Sequence, residues 1–93
     1  MERTLAADLG AHVGQRVTVQ GWLHNLRKMG EVNFLIVRDR TGIVQAVTSL
    51  ADLRPLDGLQ LESVIQVEGE VVVAPHAPGG YELYHNRVDV IVP

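Results

Sequence analysis

The sequence predicts an all-β fold: a five-stranded barrel with a short helix between strands 3 and 4 and a short helix or turn at the N-terminus. Three observations lead there. Apolar and polar residues alternate with a period of two, as in Val17-Thr18-Val19-Gln20 and Ile65-Gln66-Val67-Glu68, the pattern of strands with one dry and one wet face. Turn-forming clusters such as Asp39-Arg40-Thr41-Gly42 separate these runs at short intervals. Finally, 93 residues with 46% hydrophobic content support one modest core, burying about 60–65% of the unfolded chain's surface.

Each element can be justified in turn. Thr4-Leu5-Ala6-Ala7-Asp8-Leu9 places leucines four apart behind a threonine able to cap, which predicts a short helix or turn. Gly14 releases the chain into a first strand, where Val17, Val19 and Leu23 alternate with Thr18, Gln20, Trp22 and His24. Gly21 lies inside that strand, where glycine marks a bulge or tight bend, and a first strand bent there would start the sheet curling toward closure. Lys28-Met29-Gly30-Glu31 reads as the first hairpin turn, Val32–Arg38 as strand 2, residues 39–42 as the second turn and Ile43–Thr48 as strand 3. Ser49-Leu50-Ala51-Asp52 is similar to a capping box, and leucines at 50, 53, 56 and 59 favour one or two helical turns despite Pro55 and Gly58. Val64–Val73 is strand 4, with Ile65, Val67, Val71 and Val73 on one face; residues 74–80 form a loop by composition, and Tyr81 to Val92 is strand 5, interrupted near His85-Asn86. Three strands, a helical insert and two more strands match an OB-fold barrel. No internal repeat or low-complexity segment is evident.

Composition narrows the function. The chain has no cysteine, so it has no disulfide framework or thiolate metal site. The four histidines are scattered without ligand spacing, and no metal site is expected. MERTLAADLG has no apolar signal core, and no apolar run approaches the roughly 20 residues that span a bilayer; the expectation is a soluble, cytoplasmic protein without membrane association. Net charge is −3, but it is unevenly spread. Residues 1–40 carry six basic against four acidic side chains, and residues 41–93 carry two against seven. Phosphate contacts depend on local potential rather than on the total. No Gly-rich phosphate loop and no nucleophile with an adjacent base is present, so no catalytic residue is expected.

The run from Gly21 to Val47 holds the candidate chemistry. If Leu35, Val37, Val44 and Ala46 line the core, Phe34 and Gln45 emerge on the outer face of strands 2 and 3, the usual oligonucleotide surface of OB folds. A lone phenylalanine in a strand is ordinarily core. Exposed there it offers a stacking platform worth about 1–3 kcal/mol per base. A glutamine amide presents both a donor and an acceptor to a base edge, and Arg27 adds charge and a planar fork.

These residues also carry a resemblance. Ala11–Gln15, Gly21-Trp22, Arg27 before a glycine turn, Phe34, Arg38-Asp39, Gly42-Ile43-Val44-Gln45 and Gly80-Tyr81-Glu82, in this order and spacing, resemble the N-terminal anticodon-binding domain of class II aspartyl-tRNA synthetases, in the group with the asparaginyl and lysyl enzymes. The resemblance covers residues 1–93 as one domain. It implies that Phe34 stacks on the central uracil of the anticodon, that Gln45 and Arg27 contact that base and its neighbours, and that Glu82 helps read a flanking base. Arg38 and Asp39 are expected to brace the barrel by a salt bridge or turn hydrogen bonds. His24 and Pro78 stand where, in this family, enzymes strict for aspartate tRNA differ from relaxed ones that also charge asparagine tRNA, and they resemble the relaxed type. The implied partners are tRNA(Asp), with a GUC anticodon, and tRNA(Asn), with GUU. The implied parent is an aspartate-tRNA ligase of protein biosynthesis, homodimeric through a catalytic domain that holds ATP and magnesium. The segment itself is expected to need no cofactor and to be non-catalytic. The chain ends at Ile91-Val92-Pro93, where family members continue through a hinge, so a piece of a longer protein is expected. An asparaginyl parent, a sequence-blind single-strand binder and a protein-interaction barrel remain open alternatives.

Overall fold

The computed structural model describes residues 3–29, 32–49 and 63–92. Five strands, β1 (Arg16–Met29), β2 (Val32–Asp39), β3 (Gly42–Thr48), β4 (Val64–Val73) and β5 (Tyr81–Val92), close into a barrel in the order β1-β2-β3-β5-β4. All neighbours are antiparallel except β3 and β5, whose short parallel seam pairs Gln45 with Glu82 and Ala46 with Leu83. This is the OB-fold arrangement expected above. The expected helix between β3 and β4 lies outside the described residues.

Strand β1 serves two sheets. Its first half pairs with β4 from Arg16 to Trp22 and its second half with β2 from Trp22 to Met29, so Trp22 is flanked by both Val64 and Arg38. Gly21 sits at this crossover, where a Cβ would overlap the Arg38 carbonyl oxygen. The glycine thus permits a close approach of two backbones. The irregularity expected there occurs instead between Leu23 and Asn25, where β1 bulges at His24. Lys28 and Met29, expected in a turn, pair with Asn33 and Val32 inside the sheet.

The core follows the alternation. Val17, Val19, Leu23, Leu35, Val37, Val44, Ala46, Ile65, Val67, Val71, Leu83 and Val88 are buried together with Leu9. Val73 departs from the expected inner face and is 57% exposed, because β4 has run past the end of the barrel interior. Strand β5 is continuous through His85-Asn86, but the register shifts opposite Gly69. His85 adopts φ 55°, and Asn86 turns inward to donate from Nδ2 to the carbonyls of Val47 (2.8 Å) and Leu83 (3.0 Å). Asn86 therefore stitches β3 to β5 where their ladder is shortest. Gly69 leaves the room this needs, since a Cβ there would collide with Asn86 Oδ1.

The N-terminal element is a 3-10 helix over Ala6–His12 with Leu5 as its N-cap residue and no side-chain cap of its own. Thr4, the expected cap, instead donates its backbone N–H to the Thr18 carbonyl. The cap comes from the β2–β3 turn. Asp39 Oδ2 accepts from the Ala6 N–H (2.7 Å) and Thr41 Oγ1 from that of Ala7 (3.1 Å). Asp39 Oδ1 accepts from Thr41 N (2.7 Å), the Thr41 hydroxyl (2.6 Å) and Gly42 N (3.1 Å). Asp39 thus braces the barrel by hydrogen bonds, as expected. Arg38 is exposed and forms no salt bridge among the described residues.

Candidate nucleic-acid interface

The His24 bulge decides which face the end of β1 presents. Strict alternation from the buried Leu23 would send Asn25 and Arg27 inward. The extra residue resets the phase, so Leu26 packs on the core while His24, Asn25 and Arg27 are exposed. Arg27 then lies directly opposite Phe34, which lies opposite Val47. In the next row Asn25 opposes Ile36, and Ile36 opposes Gln45. Directly opposed side chains have Cβ atoms about 4.5–5.5 Å apart, so the two rows form one surface across β1, β2 and β3.

The segment between β4 and β5 closes one side of this surface. Its backbone bonds to itself, Ala77 N to Ala74 O, Gly80 N to Ala77 O and Ala74 N to Gly80 O, each 2.9 Å. The turn at Pro78–Gly80 uses Gly79 at φ 72°, a left-handed conformation that glycine adopts without strain. Ile36 lies on the outer face of the sheet yet is only 6% exposed. Between loop and sheet runs a groove of about 480 Å³ lined by His24, Arg27, Gln45 and Pro78, with Asn25, Ile36, Ile43, His76 and Ala77.

At the parallel seam, Gln45 Nε2 donates to Glu82 Oε2 (2.5 Å) and the Tyr84 hydroxyl donates to Glu82 Oε1 (3.3 Å). Glu82 is 3% exposed. It is covered by these partners and touches the surface through them. Burial, followed by the adjacent Glu82 carboxylate, raises the Tyr84 phenol above its ordinary value, so the hydroxyl keeps its proton and stays a donor. A carboxylate only accepts hydrogen bonds, and this determines the orientation of the Gln45 amide. Its nitrogen faces Glu82, leaving Oε1 available as an acceptor.

All six residues singled out in the sequence thus converge on one region: His24, Arg27, Gln45 and Pro78 in the groove, Phe34 beside Arg27, and Glu82 behind Gln45. Asn25, Ile36, Ile43, His76 and Tyr84 were not singled out. Tyr84 was legible, two residues after Glu82 on the same strand face. Asn25 and His76 carried no sequence signal, because a bulge and a loop bring them there. Among the described residues no cluster of histidine and carboxylate side chains could hold a metal ion.

A closed five-stranded barrel with an arginine, an aromatic and an amide on the outer face of β1, β2 and β3 defines an OB-fold nucleic-acid-binding module. Comparison with known proteins refines this. A family model described as an OB-fold nucleic acid binding domain, of the tRNA anticodon group, matches residues 17–91, and the chain belongs to that family of anticodon-binding domains. The chain is 45% identical over 94 residues to the aspartate--tRNA(Asp/Asn) ligase of Thermus thermophilus, covering 98% of this chain and 20% of that protein. It is 41% identical over 96 residues to the asparagine--tRNA ligase of Pelotomaculum thermopropionicum, covering 98% and 22%. Among solved structures, asparaginyl-tRNA synthetase from Pyrococcus horikoshii complexed with asparaginyl-adenylate superimposes with a TM-score of 0.86 at 32% identity, covering 99% of this chain and 23% of that one. The chain spans about a fifth of the length of the curated relatives it matches.

Proposed function

We propose that this chain is the anticodon-reading domain of a class II aspartate-tRNA ligase that accepts both aspartate and asparagine tRNAs. The observation that carries the reading is the convergence of Arg27, Phe34 and Gln45 with His24 and Pro78 on one outer surface, with the buried Glu82 holding Gln45 from behind. Phe34 stacks on the central base of the loop. Gln45, held by Glu82, accepts the N3–H of that base through Oε1; uracil carries this proton and cytosine does not. Arg27 supplies charge beside the stacked base. Glu82 acts through Gln45, as a positioning residue, rather than on a flanking base as the resemblance implied.

GUC and GUU differ only in the third anticodon base, so selection between the two tRNAs must come from the edge of the surface. His24 and Pro78 both line the groove and are both exposed. Neither imposes a fixed charged contact that would exclude one base. Amino-acid activation, with ATP and magnesium, belongs to the remainder of the parent ligase, and the 93 residues alone supply recognition without catalysis.

Titration with anticodon stem-loops tests the reading. Preference for GUC and GUU loops over unrelated loops is the expected result. Binding that ignores loop sequence would refute anticodon reading in favour of a general single-strand binder.

A further inference from the structure

Phe34 and Gln45 account for one end of the outer surface. A second groove, of about 780 Å³, opens at the other end and is lined by Arg3, Gln20, Trp22, Asp39 and Arg40, with the backbone of Gly21. Its charge is arranged for an anion. Arg3 and Arg40 are exposed and come from distant parts of the chain, and Arg38 stands on the same side, opposite Trp22. Arg3 Nη1 donates to Gln20 Oε1, which holds the guanidinium at the groove while leaving its other N–H groups free to donate. Asp39, the one carboxylate in the lining among the described residues, is 7% exposed and accepts four hydrogen bonds, from Ala6 N, Thr41 N, the Thr41 hydroxyl and Gly42 N. It therefore opposes an incoming anion far less than a free carboxylate would.

The spacing connects the two ends. Phe34 and Arg38 lie four residues apart on β2, about 13 Å at the rise of a strand. A stacked strand of nucleic acid advances about 3.4 Å along its axis per phosphate. An RNA whose base stacks on Phe34 therefore carries its backbone to Trp22 and the arginines within about four nucleotides. On this basis, and resting on the anticodon reading above, we infer that the Arg3–Trp22–Arg40 groove binds the sugar–phosphate backbone of the stem flanking the loop. Arg3 and Arg40 contact phosphates there, and Trp22 packs against sugar. The site adds affinity and orientation and carries no sequence preference.

The test compares two RNAs on the full 93-residue chain: an anticodon stem-loop, and the trinucleotide GUC, too short to reach the second groove. The double variant Arg3→Gln/Arg40→Gln is expected to bind the stem-loop more weakly whatever its anticodon, and the trinucleotide as the wild type does. Two lost phosphate contacts lower the slope of log K against log salt by about 1.8, so between 50 and 200 mM salt the wild type should lose about tenfold more affinity than the variant. Arg40→Lys should retain the slope, because it keeps the charge. Trp22, the single tryptophan, should be quenched more by the stem-loop than by the trinucleotide. An unchanged salt slope in the double variant overturns the inference, as does equal weakening of both RNAs. If Phe34→Ala still weakens binding in that case, anticodon reading stands and only the second site is lost. Failure of the wild type to bind either RNA at low salt overturns both.

Discussion

Glu82→Gln isolates the most specific claim about the surface. In the wild type the carboxylate can only accept, so Gln45 keeps Nε2 toward residue 82 and leaves Oε1 as the acceptor that the proposed reading offers to the base. A glutamine at position 82 can offer its oxygen or its nitrogen, so Gln45 can pair with it in either of two orientations. In the native orientation Oε1 accepts the uracil N3–H; in the flipped one Nε2 donates to the cytosine N3 acceptor. The variant should bind a uracil-centred loop with about half the wild-type affinity, since doubling the states of Gln45 costs about 0.4 kcal/mol. Discrimination against a cytosine-centred loop should collapse. A well-made base-edge contact is worth about 1–3 kcal/mol, or roughly 5- to 150-fold, and the flip removes most of it. The assay is a pair of titrations, GUC against GCC stem-loops, on wild type and variant, with a thermal melt to verify the fold. A variant that keeps the wild-type ratio of U to C affinities would refute the argument, because Gln45 would then be oriented by something other than the carboxylate.

Four further outcomes follow from the geometry. Phe34→Ala should weaken stem-loop binding by about 5- to 150-fold, read by titration, whereas Phe34→Tyr should nearly preserve it. Gly21→Ala places a methyl group against the Arg38 carbonyl and should destabilise the barrel by about 2–3 kcal/mol, seen as a lower urea midpoint at unchanged m-value. Burial raises the Asp39 carboxyl, but hydrogen bonds from Thr41, Ala6 and Gly42 outweigh it and hold the group below its ordinary value. Its stabilising contribution is therefore complete above the unfolded value of about 3.9 and is lost as pH falls through the folded one. Over that acid range the unfolded chain binds more protons, so stability should rise with pH; Asp39→Asn should flatten that part of the urea-denaturation profile and lower stability at neutral pH. Finally, His24→Gln with Pro78→Lys should weaken GUU loops selectively over GUC loops, and equal loss for both would remove His24 and Pro78 from specificity.

Much of this protein is legible in the chain. Alternation places Leu35, Val37, Val44 and Ala46 in the core and therefore Phe34 and Gln45 outside, because side-chain direction in a strand is a local property with a period of two. The turn at Asp39-Arg40-Thr41-Gly42 is equally local, set by an Asp side chain that bonds the backbone just ahead of it. Arg27 shows where local reasoning stops. Counting in twos from Leu23 points it inward, and only the His24 bulge, created where β1 leaves β4 for β2, turns it to the surface. The same limit applies to Glu82, whose polar character suggests solvent until barrel closure sets it against Gln45, 37 positions earlier in the chain. The cap of the first 3-10 helix is also remote, supplied by Asp39 at 33 positions' separation. The sequence by itself determined strands, core face and the kinds of side chain on offer, because these follow from neighbours a few residues apart. Only the closed barrel decided the bulge, the seam and the groove, because each needs segments far apart in sequence to meet with a definite register.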